Sequence, residues 1–499
     1  MFTTTSSARF AGGAWPVGYE RRRLIALWHQ AAARATDEQR PVLVCYTIAV
    51  QPRDALQVWS TFTRLHLGDC CFWELPDQGS ALVGLGVVTA NETTGQERFA
   101  EATAAWRTLC QRAVIGSEDS VDKNSGPVLV GGFAFDALPE QTALWEGFPE
   151  GLLILPRLLY QQRAQKASLT ISALLEPGCD VETHAQEAES LLARLRTHES
   201  NTEQRAGVEH EAGAKGQGRL VARDIQPPEE WQRTIAHAVE AIRGGAYEKV
   251  VLARSVEVTQ PEAPFEIEET LTRLRESYSG AYVFAFQRGG RYFVGATPER
   301  LIYARDGQLR TMALAGSYPR GATEEEDQRL GAELLSSAKN RQEHEFVVSL
   351  IRTALADLCS KVWVADAPHL LRLKNIQHLE TPIFGELLPG RSVLEALEVL
   401  HPTPAVGGLP RQAALEAIRA HEQLDRGWYA GPVGWVDAQG NGEFAVALRS
   451  ALVEGNKATL FAGCGIVAGS NPEGEYAESC WKLQVMLRGL GGEDCEIAK

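Results

Sequence analysis

Two glutamates and a lysine share one face of a helix that the sequence predicts near its C-terminal end. Glu475, Glu478 and Lys482 stand at positions i, i+3 and i+7 of a predicted helix over residues 473–487, so their side chains project from the same side. The preceding run of small residues, 462–467 (AGCGIV), leaves space beside them. Two converging carboxylates could hold a hard cation through oxygen ligands. The same spacing also describes a solvated helix face with a Glu478–Lys482 ion pair, and from spacing alone that interpretation is the commoner one.

A second group of possible metal ligands lies in residues 340–345 (NRQEHE), within a long predicted helical stretch over residues 324–358. Glu343 could supply a further oxygen ligand, but it also follows Lys339 by one turn, as in a surface ladder of ion pairs. His344 has no second histidine at i+4 or i−4. The sequence therefore does not predict a zinc site here.

Glu299 and Lys249 are the candidate acid and base. Glu299 directly follows Thr297 and Pro298 at the end of a predicted strand, where the proline stiffens the backbone. A carboxylate fixed there can act as a general acid if its surroundings raise its pKa, although TPE is also a common start of a helix. Lys249 begins an apolar strand, where burial eases the loss of its proton. The alternative is a lysine that snorkels at a strand end.

Three further features could bind anions. Residues 314–317 (LAGS) can offer backbone N–H groups to a carboxylate. Tyr429 supplies a phenol, and Arg449 is a charged residue within a predicted strand, where an arginine usually has an anionic partner. Together with the acid, the base and the carboxylates, these residues could bind and transform a small anionic substrate.

The elements that must position these residues alternate between strands and helices. Strands are predicted over residues 41–48, 127–135, 249–256, 281–287, 291–296, 431–436, 444–452 and 458–461. Further helices are predicted over residues 97–114 and 184–196, and from Pro228 to a stop at Gly244 and Gly245. This order fits antiparallel sheets with helices packed outside.

Composition limits the class of protein. The chain has 499 residues and a net charge of −15, which argues against nucleic acid as a partner. Residues 1–16 contain no apolar stretch long enough for a secretory signal or a spanning helix. Nine scattered cysteines without C-x-x-C spacing indicate reduced thiols. We therefore expect a cytoplasmic protein, a monomer or homodimer, with no membrane partner.

One polar segment divides the chain. Residues 197–218 are rich in glycine and glutamate and lack apolar periodicity, which predicts a flexible linker or surface excursion. It separates an N-terminal part, residues 1–196, from a C-terminal region, residues 219–490, that contains every candidate residue named above.

The candidate segments, taken in order, resemble the chorismate-utilising enzymes, a family that includes isochorismate synthase, salicylate synthase and the large subunit of anthranilate synthase. The segments are 249–254 (KVVLAR), 295–300 (GATPER), 314–317 (LAGS), 340–344 (NRQEH), 401–405 (HPTPA) and 462–482. The resemblance covers roughly residues 225–490, and residues 131–136 (GGFAFD) are similar to a glycine-aromatic strand of the family's N-terminal half. It implies an α+β body with two antiparallel sheets packed face to face, helices outside, and the substrate between the layers.

The resemblance implies a role for each candidate in catalysis and metal binding. Lys249 would be the base that activates water for attack at C2 of chorismate, and Glu299 the acid that protonates the departing C4 hydroxyl. Glu343 and Glu478 would bind Mg²⁺. Glu475 and Asn340 would act through metal-bound water, although the family often has an acid where Asn340 stands.

The resemblance also implies the substrate contacts. Tyr429 and Arg449 would bind the pyruvyl carboxylate, and His378 and Thr381 would border the ring. The remaining contacts would come from Gly316, Ser317, Ala405, Gly463 and Lys482. Chorismate carries two carboxylates, so its burial requires cationic compensation of this kind.

The choice within the family depends on one loop. Residues 401–408 (HPTPAVGG) resemble isochorismate synthases, because Ala405 stands where enzymes that use ammonia usually have a threonine. The resemblance thus implies a magnesium-dependent isochorismate synthase, and the long N-terminal half is more similar to enzymes of menaquinone biosynthesis than to the shorter siderophore enzymes. The alternatives are a salicylate synthase, which passes through the same intermediate before eliminating pyruvate, and a non-catalytic chorismate-binding sensor.

Overall fold

The computed structural model describes residues 19–137, 142–205, 220–372, 376–492, 495 and 497–498. The α-helices are α1 (Arg21–Glu38), α2 (Ala55–Thr63), α3 (Arg98–Arg112), α4 (Val181–Arg205), α5 (Pro228–Arg243), α6 (Ile267–Ser277), α7 (Glu324–Ser336), α8 (Ala338–Leu355), α9 (Val393–Leu400), α10 (Arg411–His421) and α11 (Pro472–Gly489). The strands of the first part are β1 (Val42–Val50), β2 (Cys70–Leu75), β3 (Ser80–Thr93), β4 (Val114–Ser117), β5 (Val128–Phe133), β6 (Gly151–Arg163) and β7 (Lys166–Leu175).

The strands of the C-terminal part include those that carry the candidate residues. They are β8 (Val221–Asp224), β9 (Lys249–Thr259), β10 (Tyr282–Arg288), β11 (Arg291–Thr297), β12 (Arg300–Arg305), β13 (Gln308–Pro319), β14 (Cys359–Val364), β15 (His369–Arg372), β16 (Ile376–Leu387), β17 (Gly408–Leu409), β18 (Pro432–Asp437), β19 (Gly442–Val446), β20 (Ser450–Glu454), β21 (Lys457–Ile466) and β22 (Ile497–Ala498). No helix within the described ranges is both long enough and apolar enough to cross a membrane.

The strands form one continuous sheet with two arms that diverge at β6. The first arm runs in the order β4-β1-β7-β6-β3-β2-β10-β11-β20-β21-β9-β8, and the second in the order β6-β5-β18-β19-β12-β13-β16. The start of β6 pairs with β5, and its end pairs with β7. The β1–β4 and β8–β22 pairings are parallel, and the other pairings are antiparallel. Strands of both chain halves pair directly, as in β2–β10 and β5–β18.

Two hydrophobic cores lie on opposite faces of the first arm. In β10, Tyr282, Phe284 and Phe286 belong to one core, and Val283 and Ala285 to the other, as the alternation of side chains in a strand requires. The first core also takes in side chains of the second arm, and the second core lies beneath α1, α2, α4, α6 and α11. The predicted α+β class, with antiparallel layers and helices outside, is confirmed, and the two layers are arms of one sheet.

Three predicted segments differ from the structure. The long helical stretch over residues 324–358 is two helices that meet at Ser337, whose hydroxyl caps the second by accepting a hydrogen bond from the Asn340 backbone. The predicted strand over residues 444–452 is β19 and β20, and Arg449 lies between them rather than within a strand. Helix α4 runs to Arg205, into the predicted linker, and residues 206–218 of that linker lie outside the described residues.

Candidate functional site

Lys249 is the first residue of β9 and faces α8. Its Nζ lies 3.7 Å from Oε1 of Glu343, and both side chains are largely buried. A Cβ on Gly465 of the neighbouring strand β21 would lie 3.1 Å from Lys249 Cε, so the glycine leaves room for the lysine. The AGCGIV run was expected to leave space beside the α11 carboxylates, and at Gly465 the space is occupied by Lys249. Glu343 is paired with Lys249 rather than standing in a surface ladder.

Glu299 lies in the short turn between β11 and β12, and its backbone is held on both sides. Its carbonyl accepts a hydrogen bond from Val446 N at 3.0 Å, and its N–H donates to Thr297 Oγ1 at 3.4 Å. Burial raises the pKa of Glu299 to about 7, against the opposing effect of the positive charges of Arg449 and Lys249. A carboxyl group with this pKa is partly protonated at neutral pH, as a general acid requires.

Arg449 has a backbone conformation that only the surrounding structure can hold. Its φ of 48° is in the left-handed region, which is uncommon for a residue with a side chain and often marks functional sites. Its carbonyl accepts a hydrogen bond from Ala296 N at 3.1 Å, which joins it to β11. Within the described ranges, no carboxylate lies within 4.0 Å of its guanidinium. This half-buried cation is therefore free to bind an anionic ligand.

Tyr429 and Lys482 both lie against Gly463. The Tyr429 ring is buried and stacks on Phe461 with centroids 5.2 Å apart. A Cβ on Gly463 would lie 3.2 Å from the Tyr429 hydroxyl, and the Gly463 carbonyl accepts a hydrogen bond from Lys482 Nζ at 2.8 Å. Burial raises the pKa of Tyr429, against the charges of Arg426 and Arg449. The phenol therefore stays neutral and can donate a hydrogen bond.

Helix α11 presents the predicted acidic face. Carboxylate oxygens of Glu475 and Glu478 and the Cys464 sulfur lie within 4.8 Å of one another, a group that could hold a metal ion. Burial raises the pKa of Glu475, and the nearby charge of Glu478 raises it further. The Glu478–Lys482 ion pair of the alternative interpretation is also present, at 2.6 Å.

Cys464 was missed as a member of this group. It lies in the AGCGIV run, but its contact with α11 depends on how β21 packs against the helix: its Sγ donates to the Glu475 carbonyl at 3.3 Å. Glu343 is not a member of the group.

Asn340 and Gly316 approach closely where α8 faces β13. Gly316 has a φ of 72°, and a Cβ there would lie 3.3 Å from Asn340 Oδ1. A larger residue would therefore be strained at this position and would press on Asn340. The Asn340 amide donates to Ser337 Oγ at 2.9 Å. The side chain of the adjacent Ser317 lies outside the described part of the chain.

His378 and Thr381 both lie on β16 and have different surroundings. Burial lowers the pKa of His378 to about 4; a hydrogen bond with the Gly316 backbone opposes this, and the charges of Lys482, Lys249 and Arg449 add to it. His378 is therefore neutral at neutral pH. Lys249 and Arg449, whose charges affect Glu299, also affect His378. Thr381 is buried, and its hydroxyl lies 2.7 Å from Nε2 of His344.

The loop of Ala405 is fastened to β9 by a buried ion pair that the sequence did not predict. Arg426 and Glu422 pair through two contacts of 2.6 Å, with each side chain only 3% exposed. The guanidinium also donates to the carbonyls of Val406 at 3.1 Å and Val251 at 2.7 Å. Because a buried charge requires several partners, this arrangement holds the loop against the strand that carries Lys249. Ala405 itself is half-buried.

The structure thus brings most of the predicted residues to one place. Lys249, Glu343, Glu299, Arg449, His378 and Lys482 are linked by direct contact or by mutual electrostatic effect, as described above. Their elements come from both arms of the sheet and from α8 and α11. The arrangement combines a half-buried lysine paired with a glutamate, a carboxyl group with a raised pKa, an acidic face, and a guanidinium that has no carboxylate partner among the described residues.

Comparisons of sequence and structure with known proteins identify the family. A family profile described as "Chorismate binding enzyme" matches residues 29–491. The isochorismate synthase MenF of Bacillus subtilis is 38% identical over 93% of this chain and 96% of its own length. The salicylate biosynthesis isochorismate synthase of Pseudomonas aeruginosa is 39% identical over 94% of this chain and 95% of its own length.

A solved structure is similar over almost the same extent. MenF, the menaquinone-specific isochorismate synthase of Escherichia coli, superposes with a TM-score of 0.70 at 28% identity, covering 94% of this chain and 99% of the other. The resemblance to chorismate-utilising enzymes and the fold that it implied are both confirmed.

Proposed function

Because this chain belongs to the chorismate-binding enzymes, we propose that it is an isochorismate synthase, which converts chorismate to isochorismate. Two relatives named for this activity match along 95% or more of their own lengths. The observation in the site that carries the proposal is the placement of Lys249 and Glu299. Burial raises the pKa of Glu299 to about 7, and Lys249 lies close enough to affect it, so the two groups belong to one reaction centre, and we propose them as its acid and base.

The proton transfers follow from the reaction. We propose that Lys249 Nζ takes a proton from the water whose oxygen forms a bond to C2. The ring double bonds shift, the C4–O bond breaks, and Glu299 gives its proton to the departing hydroxyl, which leaves as water. One proton is taken up and one released in each turnover, so both groups must be reset before the next cycle.

Substrate binding is proposed to use the Arg449 guanidinium and the phenol of Tyr429. Arg449 lacks a carboxylate partner in the described structure, and the Tyr429 phenol adjoins Gly463 and Lys482. We propose that Arg449 and Tyr429 bind the pyruvyl carboxylate, with Gly316, Ser317, Gly463 and Lys482 as further contacts. Neutral His378, Thr381 and Ala405 are proposed to line the ring, where they add no charge that would compete with the reacting groups.

The donors on α11 suit Mg²⁺. Glu475 and Glu478 offer carboxylate oxygens, which hard cations prefer, and a cation would relieve the repulsion that raises the Glu475 pKa. Burial raises the pKa of the Cys464 thiol to about 12, so it stays protonated and leaves the oxygens as donors. The family resemblance leads us to propose Glu343 and Glu478 as direct ligands, with Glu475 and Asn340 acting through water; Glu343 lies outside the group formed by Glu475, Glu478 and Cys464. When bound, the ion supplies charge neutralisation and orientation for the ring carboxylate.

Purified protein given chorismate and Mg²⁺ is expected to form isochorismate alone, in an equilibrium mixture that is also reached from isochorismate. A chelator should abolish the reaction and added Mg²⁺ should restore it. Liquid chromatography over time measures both directions. Salicylate with pyruvate would identify a salicylate synthase, and binding of chorismate without turnover would identify a sensor.

We propose menaquinone biosynthesis as the pathway served. The full-length similarity to the two MenF enzymes supports it, but the similarity to the salicylate biosynthesis enzyme is equally extensive. Both pathways begin with isochorismate, so the product assay does not separate them. Measuring menaquinone and salicylate in cells that lack the gene does, and loss of salicylate alone would refute the menaquinone assignment.

A further inference from the structure

Helix α11 carries three site residues in a part that has little apolar packing. Glu475, Glu478 and Lys482 lie in its first half and middle, whereas its buried residues all lie from Ser479 onward: Ser479, Leu483, Met486, Leu487 and Gly489. A rotation of the first half by a fraction of a turn would move both carboxylates away from the site. Apart from Tyr476, which packs against the first core, the orientation of this half depends on polar contacts.

Arg254 of β9 contacts three residues of that half. Its Nε donates to Ser479 Oγ at 2.7 Å, its Nη2 donates to Cys480 Sγ at 3.0 Å, and its guanidinium lies 4.4 Å from the Tyr476 ring centroid. At about 100° per residue, these three residues lie between about a fifth and a half of a turn from the centre of the face formed by Glu475, Glu478 and Lys482. Arg254 thus holds the side of the helix that adjoins the acidic face.

Asp224 of β8 contacts both Arg254 and Tyr476. It forms an ion pair with Arg254 and accepts a hydrogen bond from the Tyr476 hydroxyl at 2.6 Å. Trp231 of α5 packs its edge on Tyr476 and donates to the Ala253 carbonyl at 3.2 Å. Arg254 is only 2% exposed. Since a buried ion pair is often no more stabilising than apolar residues of the same volume, stability alone gives little reason for it.

From this geometry we infer that Arg254, with Asp224 and Tyr476, is a positioning residue that sets the orientation of α11 relative to Lys249. Lys249 begins the strand that contains Arg254, so one side chain ties the strand of the base to the helix of the acidic face. The inference rests on the proposed metal-binding role of α11. It concerns residues that contact none of the proposed metal ligands and act on them only through the helix.

The test uses Mn²⁺ as a probe without substrate. Arg254→Lys keeps the charge but loses the planar fork, Arg254→Met loses both, and Tyr476→Phe removes only the hydroxyl bond to Asp224. Calorimetry should find Mn²⁺ affinity weakened by roughly 10-fold or more in Arg254→Met, with a smaller loss in the other two variants. The kcat measured at saturating metal and the KM for chorismate show whether the loss extends beyond metal affinity.

A matched control is Arg288→Lys. Arg288 pairs with Asp69 at 2.9 Å and Glu92 at 3.2 Å, at the end of β10, and its substitution should change thermal stability without changing Mn²⁺ affinity. Equal losses of Mn²⁺ affinity in Arg288→Lys and Arg254→Lys would overturn the inference. Unchanged affinity in both Arg254 variants and in Tyr476→Phe would also overturn it, as would the absence of Mn²⁺ binding by the unmodified protein. Because chorismate is absent from the binding assay, an unexpected reaction product would refute the proposed function and leave this result standing.

Discussion

Replacing Lys249 by alanine is expected to lower kcat by about 10²–10⁴-fold while chorismate still binds in the presence of Mg²⁺. The range is that of a lost general base, because water would then have to attack C2 without a group to take its proton. Binding should survive because Arg449, Tyr429 and the acidic face remain. Chromatographic assay of turnover and calorimetric titration with chorismate measure the two effects separately.

Lys457→Ala is a suitable control for this variant. Lys457 is also the first residue of a strand, β21, and it is exposed, so its loss should leave both turnover and binding unchanged. A Lys249→Ala variant that turns over chorismate at nearly the normal rate would remove the base from the proposed mechanism. A variant that no longer binds chorismate would instead assign Lys249 to substrate binding, in competition with its Glu343 contact.

Local sequence signals were sufficient for the elements that carry the site. The proline start and the glycine stop predicted α5, and an apolar run predicted the start of β9 at Lys249. The two runs over residues 281–287 and 291–296 predicted β10 and β11. Helical spacing also placed Glu475 and Glu478 together, which the structure bears out. Each of these inferences depends on residues that are close in sequence.

The errors occurred where a local signal was weak or a distant contact decided the outcome. Ser337 interrupts a stretch with helical periodicity on both sides, and only its capping hydroxyl distinguishes the two helices. Arg449 breaks a run with strand character, where its left-handed backbone is joined to β11 through Ala296. Propensity alone does not reveal such a break, because packing overrides it.

Contacts between segments that are distant in the chain could not be predicted from the sequence. Tyr282 donates to Glu443 at 2.7 Å across the two arms, and Arg426 joins the Ala405 loop to β9. Each joins segments that lie far apart in sequence, and no local pattern encodes such a contact. The family resemblance could place the candidate residues around one substrate, whereas the groups that hold them there became evident only from the fold.

Replacing Glu299 by glutamine is expected to have opposite effects on activity and stability. The amide cannot protonate the C4 hydroxyl, so kcat should fall by about 10²–10⁴-fold. In the unmodified enzyme, turnover should decline as pH rises through about 7, because Glu299 loses its proton there. Stability follows from the same pKa, which is raised from an ordinary value of 4.5. Folded protein binds the proton more tightly than unfolded protein, so the free energy of unfolding falls between about pH 4.5 and pH 7.

Above pH 7 the Glu299→Gln substitution should therefore raise the free energy of unfolding by about 2–3 kcal/mol relative to the unmodified protein, and below pH 4.5 the difference should vanish. Denaturant unfolding at several pH values measures it. Glu74→Gln is the matched control, because burial also raises the pKa of Glu74 to about 7 and it lies on β2, outside the site. That variant should show a similar stability change with normal turnover. If both variants gained stability and both kept their activity, burial would explain the raised pKa of Glu299 and its role as the acid would have to be abandoned.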